Sequence, residues 1–198
     1  MKPNFIKAKE ILESSKVIAF PTETVMGLGV YFDDFKAYEL LNSIKRRPED
    51  KPYTLMLGST EYIEKYAFVD NRAKKVINAF MPGEITILLR SKDCVPSYVT
   101  HGTGVIGIRV PNKADLLELL NFVKKPLLVP SANRSGDKPA MSSDEVREVF
   151  KDEVYIAIEG KAIGGVPSTL VDLTNKEVKI YREGNIKLED IKKALGEN

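Results

Sequence analysis

The sequence contains no tryptophan, one cysteine and one histidine among its 198 residues. A single cysteine, Cys94, excludes an internal disulfide, and a lone histidine, His101, excludes a multi-histidine metal site. No apolar run approaches the roughly 18 residues that cross a bilayer. The N-terminus leads into a charged amphipathic segment instead of the apolar core of a signal peptide. We therefore expect a soluble, cytoplasmic protein with no membrane partner.

The chain also lacks a strong excess of charge. Thirty basic residues against 28 acidic ones give a net charge of +2. This excess is too small to indicate a general nucleic-acid binder, although a local basic cleft stays compatible with it. There is no Gly/Ser linker, low-complexity tract or internal repeat. We therefore expect one domain that spans residues 1–198.

Segments with strand-like and helix-like apolar spacing alternate along the chain. The predicted strands lie at 17–20, 53–57, 85–90, 105–110, 127–130, 154–158, 169–173 and 177–181. The predicted helices lie at 4–15, 35–44, 60–66, 71–80, 113–122, 142–150 and 188–195. Asp33 or Asp34 is expected to cap the second helix, and Asp70 the fourth. This alternation predicts an α/β fold with a large, twisted, mixed β-sheet flanked by helices.

Polar segments follow several of the predicted strands. The first, residues 21–29, comes directly after a buried strand and is interpreted as a loop, in which Gly27 and Gly29 allow close backbone approach or positive φ. Residues 130–136 and 167–172 have a similar character, and Arg182 ends another strand. Ligands of open α/β sheets bind at strand ends. These segments together predict a pocket for an anionic, polyhydroxylated ligand such as a nucleotide.

Three further cations occur in two segments, the end of the second predicted helix and a predicted strand. Lys45 and Arg47 end the second predicted helix, where they suit the helix dipole or form an anion clamp of a point charge and a bidentate fork. Arg109 alternates with apolar neighbours in a strand, so it projects from the opposite face and needs a partner or a ligand.

One motif is misleading. Residues 102–107 match G-x-G-x-x-G, which indicates dinucleotide binding only where a helix follows. Here a strand follows, so no helix N-terminus is available for a pyrophosphate. For His101 and Cys94 we expect surface positions without catalytic roles.

Five motifs, in this order along the chain, resemble those of the YrdC family, whose best-known members are threonylcarbamoyl-AMP synthases. They are Pro21-Thr22-Glu23-Thr24-Val25-x-Gly27-Leu28-Gly29, Lys45-x-Arg47-Pro48, Ser131-Ala132-Asn133-x-Ser135-Gly136, Pro167-Ser168-Thr169-Leu170-Val171-Asp172 and Arg182-x-Gly184. The resemblance implies a twisted α/β sheet with a concave, positively charged cleft.

The resemblance also implies a reaction. L-threonine, bicarbonate and ATP give threonylcarbamoyl-AMP and pyrophosphate, with Mg²⁺ held mainly by the ATP phosphates and no metal ligands from the protein. The product supplies the threonylcarbamoyl group of a modified adenosine next to the anticodon of certain tRNAs. Separate partner proteins transfer that group, and tRNA itself is a further candidate partner.

Matching positions imply the site residues. Lys45 and Arg47 are the expected catalytic groups. The residues expected to bind ATP are Lys45, Arg47, Lys51, Ser131, Asn133 and Arg182. Those expected to bind threonine are Thr22, Arg109 and Ser168, with Arg109 pairing the carboxylate.

Three positions depart from the family pattern. Met26 replaces a tyrosine that is expected to line the substrate pocket, Asn112 replaces a common histidine, and another common histidine is absent near Met56. These departures leave two alternatives open. One is a YciO-like protein that binds double-stranded RNA or tRNA without synthase activity. The other is a related transfer enzyme that acts on a different amino acid.

Overall fold

The computed structural model describes residues 4–46 and 52–197. Its strands are β1 (Val17–Pro21), β2 (Met26–Tyr31), β3 (Thr54–Met56), β4 (Ile85–Arg90), β5 (Val105–Arg109), β6 (Leu127–Val129), β7 (Val154–Ile156), β8 (Thr169–Asp172) and β9 (Lys179–Arg182). Its α-helices are α1 (Phe5–Glu13), α2 (Phe35–Lys45), α3 (Ile63–Tyr66), α4 (Asn71–Phe80), α5 (Ser97–Thr100), α6 (Ala114–Val123), α7 (Ser143–Phe150) and α8 (Leu188–Leu195). Short 3₁₀ turns at Thr60–Tyr62 and Lys151–Glu153 complete the described elements.

All nine strands belong to one sheet, in the order β7-β1-β2-β6-β3-β5-β4-β8-β9. The pairs β1–β7, β3–β5 and β4–β8 are parallel, and the other neighbours are antiparallel. This confirms the predicted α/β fold with a large mixed sheet flanked by helices. None of the helices in the described ranges combines the length and apolarity that a membrane crossing requires.

Hydrophobic side chains cover both faces of the sheet. In β1, Val17 and Ala19 join the larger cluster, which includes residues of α2, α4 and α7. Ile18 and Phe20 point the other way and join a second cluster with α1 and α6. Because successive side chains of a strand alternate between faces, a strand covered on both sides is apolar throughout. This explains why β1 is recognisable in the sequence as a continuous apolar run.

The helix starts follow the predicted capping residues. Asp34, not Asp33, accepts the backbone N–H of Ala37 at 3.0 Å and caps α2. Asp70 caps α4 in the same way, at 2.7 Å from the Ala73 nitrogen. Side-chain acceptors at these positions satisfy donors that the helix itself leaves unpaired. The predicted caps are therefore confirmed.

Two features differ from the sequence-based expectation. Residues 21–29 are not one loop, because β2 begins at Met26 and pairs with β1 in antiparallel register. The glycines serve packing: a Cβ at Gly27 or Gly29 would lie 3.0 or 2.8 Å from the ring of Phe20. Helix α5 was not predicted, since its four residues are too short for an apolar period to show.

Candidate functional site

A cavity of about 320 Å³ lies where several strand ends and connections meet. It is bounded by the β1–β2 turn, by β3, β4 and β5, and by the segments that follow β6 and precede β8. Its lining residues are Thr22, Thr24, Val25, Met26, Gly27, Pro52, Tyr53, Thr54, Met56, Thr86, Arg109, Val129, Pro130, Ser131, Pro167, Ser168, Leu170 and Arg182. Two arginines and several hydroxyl groups thus share a wall with methionines and aliphatic residues.

The β1–β2 turn is built around the hydroxyl of Thr22. That hydroxyl donates to the Val25 carbonyl at 2.7 Å and accepts the backbone N–H of Thr24 at 3.0 Å. The hydroxyl oxygens of Thr22 and Thr24 are 2.8 Å apart. Because the hydrogen of Thr22 goes to Val25, Thr24 is the donor in that contact. The Thr22 hydroxyl therefore fixes the conformation of the turn.

Arg109 is the buried cation of the cavity, with 5% of its surface exposed. Its Nη2 donates to Thr24 Oγ1 at 3.1 Å and lies 2.8 Å from Glu23 Oε1. The same carboxylate oxygen accepts the backbone N–H of Asn112 at 3.0 Å. Arg109 Nε and Glu23 Oε2 are buried and have no hydrogen-bond partner among the described residues. Arg109 thus keeps a buried N–H that none of the described residues accepts.

Ser168 is held from two sides. Arg182 Nε donates to the Ser168 carbonyl at 2.9 Å, and Arg182 Nη2 donates to the Ser168 hydroxyl at 3.2 Å. Thr86 Oγ1 lies 2.9 Å from Ser168 Oγ in a fully buried contact. Ser168 and Thr86 are 3% and 1% exposed, respectively. The position of the serine hydroxyl is therefore fixed before any ligand binds.

Lys45 is fully buried at the end of α2 and does not line the cavity. Its ammonium donates to the carbonyl of Ser131 at 2.6 Å and to that of Asn133 at 2.7 Å. The Ser131 hydroxyl donates to Asn133 Oδ1 at 2.6 Å. These contacts join α2 to the segment after β6, one residue of which, Ser131, lines the cavity.

The structure brings five of the predicted site residues to the same cavity, namely Thr22, Arg109, Ser131, Ser168 and Arg182. Lys45 and Asn133 stand one contact away, through Ser131. Arg47 and Lys51 lie outside the described residues. The binding roles assigned to all nine residues stay predictions.

Sequence reasoning assigned no role to Thr24, Thr86 or Glu23. Thr24 and Glu23 lie within the first motif, and that motif was the sequence signal that could have identified them. Thr86 is the polar residue between Ile85 and Ile87 in a strand, and strict alternation places it on the opposite face from those core residues. Met26 and Met56, two of the positions that depart from the family pattern, both line the cavity.

Comparison with known proteins identifies relatives along nearly the whole chain. The family model Sua5_yciO_yrdC, described as "Telomere recombination", matches residues 10–184. The threonylcarbamoyl-AMP synthase of Pyrococcus abyssi is 34% identical over 192 residues, which is 96% of this chain and 56% of that protein. The threonylcarbamoyl-AMP synthase of Photorhabdus laumondii is 33% identical over 187 residues, which is 92% of this chain and 97% of that protein.

Solved structures give the same result. The crystal structure of P. abyssi Sua5 complexed with L-threonine has a TM-score of 0.92 at 33% identity, covering 98% of this chain and 57% of that one. E. coli YciO has a TM-score of 0.87 at 28% identity, covering 94% of this chain and 92% of that one. The chain therefore spans somewhat more than half of the Pyrococcus protein and nearly all of YciO. From the family match and these likenesses it follows that the chain belongs to the Sua5/YciO/YrdC family.

Proposed function

We propose that the chain is an L-threonylcarbamoyladenylate synthase, a nucleotidyltransferase that forms threonylcarbamoyl-AMP and pyrophosphate from L-threonine, bicarbonate and ATP. The observation that carries the proposal is the buried cation Arg109, held by Glu23 and Thr24 in a cavity lined by hydroxyl groups. Relatives named for this activity and the complex of P. abyssi Sua5 with L-threonine support it.

The proposed reaction requires the protein to position the substrates more than it requires a reactive side chain. The amine of threonine adds to bicarbonate and water leaves, which gives a carbamate. A carbamate oxygen then attacks the α-phosphorus of ATP, the bond from that phosphorus to the bridging oxygen breaks, and pyrophosphate leaves. Holding the reactants together, excluding water and stabilising the charge of the phosphates are the contributions expected from the protein.

The cavity divides naturally between the two substrates. Arg109 and Ser168 form the proposed threonine end together with the turn that Thr22 holds, and Arg109 pairs with the substrate carboxylate. A volume of about 320 Å³ is at the small end of the usual range for ligand sites, roughly 300–1,000 Å³, and suits an amino acid with the reacting end of a nucleotide. Leu170 offers apolar surface to the methyl group of threonine.

The nucleotide end is proposed to involve Arg182 and the Ser131–Asn133 segment. Arg182 supplies positive charge for the phosphates while its Nε and Nη2 hold Ser168. Lys45 contributes by fixing the carbonyls of Ser131 and Asn133. Arg47 and Lys51, outside the described residues, are expected to add positive charge and give the cleft its predicted electropositive character. Mg²⁺ enters as the ion carried by the ATP phosphates.

The wider setting follows from the product. A threonylcarbamoyl-adenylate is an activated acyl donor, so we propose that threonylcarbamoyl-transfer proteins consume it to modify tRNA next to the anticodon. We therefore propose that the chain acts in the cytoplasm with those partners.

A pyrophosphate-release assay tests the proposed function. Release from ATP is expected only when threonine and bicarbonate are both present, and mass spectrometry should identify threonylcarbamoyl-AMP. Equal release without threonine would contradict the proposal. Serine and valine in place of threonine test whether Met26 has shifted the enzyme to another amino acid.

The second candidate is a YciO-like protein that binds double-stranded RNA or tRNA without synthase activity; the chain is similar in structure to E. coli YciO. It predicts salt-dependent binding of tRNA at physiological ionic strength together with no turnover of ATP. The two assays on the same preparation separate the candidates.

A further inference from the structure

We infer that Thr86, on β4, is a positioning residue that sets the hydroxyl of Ser168 to donate a hydrogen bond to an acceptor oxygen of the amino-acid substrate. The inference rests on the proposed function for the identity of that substrate. Thr86 acts through Ser168, which is the residue proposed to contact threonine.

The capacity of the serine hydroxyl is limited. A hydroxyl has one hydrogen and two acceptor lone pairs. Arg182 has only donors, so its contact of 3.2 Å fills one lone pair of Ser168 Oγ. The contact with Thr86 at 2.9 Å fills the second lone pair if Thr86 donates. The hydrogen of Ser168 then remains for the cavity, which Ser168 lines.

The direction of this contact is part of the inference. Thr86 is 1% exposed, and Ser168 Oγ is the acceptor that the described residues offer to its hydrogen. Both residues line the cavity. With Thr86 as the donor, both lone pairs of Ser168 Oγ are filled and its hydrogen is available to the substrate, whereas the reverse direction would leave Ser168 no hydrogen for the substrate.

The neighbouring strand leaves room for the methyl group of Thr86. A Cβ added to Gly107, on β5, would lie 3.1 Å from Cγ2 of Thr86, so the missing side chain of Gly107 accommodates that methyl group. In this arrangement the hydroxyl of Thr86 lies 2.9 Å from Ser168 Oγ. The hydroxyl chain through Thr22 differs, because it ends on the Val25 carbonyl and leaves no hydrogen for a ligand.

Calorimetric titration of the intact chain with L-threonine tests the inference. Thr86→Val keeps the methyl contact with Gly107 and removes the donor, so the affinity for threonine should fall about tenfold. Thr86→Ser keeps the donor and should stay within about threefold of the wild type. Thr100→Val removes a buried threonine hydroxyl that bonds Ser97 away from the cavity, and it should leave threonine affinity unchanged.

A double-mutant cycle separates positioning from a general structural effect. In a Ser168→Ala background, Thr86→Val should change threonine affinity less than about twofold, because the group that it positions is gone. The inference would be overturned if the fold-losses in threonine affinity of the two single variants multiplied in the double variant. It would also be overturned if Thr86→Val bound threonine with wild-type affinity. If Thr86→Val does not fold, Thr86→Cys replaces it, since a thiol is a weak donor of similar size.

The outcome for the wild type distinguishes the two proposals. A wild-type chain that binds no threonine contradicts the proposed function. A wild-type chain that binds threonine, while Thr86→Val binds it equally well, contradicts the role of Thr86 alone.

Discussion

Arg109 and Glu23 form a buried ion pair in which Arg109 Nη2 lies 2.8 Å from Glu23 Oε1. The side chains are 7% and 15% exposed. Nη2 also donates to Thr24 Oγ1 at 3.1 Å. Arg109 Nε and Glu23 Oε2 are buried without a hydrogen-bond partner among the described residues. Glu23 has a structural role that the sequence motif alone could not reveal.

Removing Glu23 should destabilise the fold. Glu23→Ala leaves the buried Arg109 without its counter-ion, and breaking a buried pair from one side costs about 3–5 kcal/mol. Glu13→Ala is the matched control, because the Lys9–Glu13 pair is exposed and such pairs contribute less than about 1 kcal/mol. Urea unfolding measures both free energies. Equal losses of unfolding free energy in Glu23→Ala and Glu13→Ala would show that burial of the Arg109–Glu23 pair does not increase its contribution to stability.

Replacing Arg109 by lysine should weaken threonine binding specifically. One ammonium group cannot hold Glu23, Thr24 and a substrate carboxylate in the geometry of a planar fork. We expect a loss of about 2 kcal/mol in threonine binding, roughly 30-fold, with the affinity for a non-hydrolysable ATP analogue unchanged. Arg90→Lys, at an exposed strand end, is the control. Unchanged threonine affinity in Arg109→Lys would contradict the assigned role.

The raised pKa of Tyr98 predicts that the folded protein loses stability at alkaline pH. Burial, with Asp33 and Asp34 nearby, raises the pKa of Tyr98 from 10.0 to about 12. Between these values the folded protein keeps a proton that the unfolded chain releases, so stability falls as the pH rises from about 10 to 12. The difference in unfolding free energy between wild type and Tyr98→Phe should therefore shrink over that range. Parallel stability curves for the two proteins would contradict the shift.

The elements that the sequence predicted are those whose signal is local. Helix α4 shows an apolar stripe and its cap Asp70 in consecutive residues, and β1 is an uninterrupted apolar run. Strand β2 gave no such signal, because its two glycines resemble a loop. Their reason is the ring of Phe20 on the neighbouring strand, a tertiary contact that no local pattern contains.

The candidate site shows the same contrast between features with a local sequence signal and features that depend on tertiary contacts. Family motifs led to Ser168 and Arg182 because those residues are part of recognisable segments, and Arg109 was identified as a cation that alternates with apolar neighbours in its strand. The supporting contacts of Glu23 and Thr86 depend on partners more than 80 positions away in the chain. Which of the predicted residues reach the cavity directly, and which act through a neighbour, therefore required three-dimensional distances.

Lys45 offers the sharpest test of that distinction. Lys45→Met fills a similar volume but removes the donor to the carbonyls of Ser131 and Asn133. We expect the segment after β6 to loosen, and the affinity for an ATP analogue to fall about tenfold, while threonine affinity stays within about twofold of the wild type. Lys16→Met, at an exposed position, is the control.

Hydrogen exchange provides the second measurement on the Lys45 variant. The amides of Ala132 and Asn133 bond to Met26 and Ser131 in the wild type, so they should exchange faster once the segment loosens. Weaker binding of the ATP analogue with unchanged exchange would instead point to direct contact between Lys45 and the phosphates. Because Lys45 binds the segment after β6 and has no contact with Arg109 or Ser168 among the described hydrogen bonds, a parallel loss of threonine affinity would contradict the proposed division of the cavity.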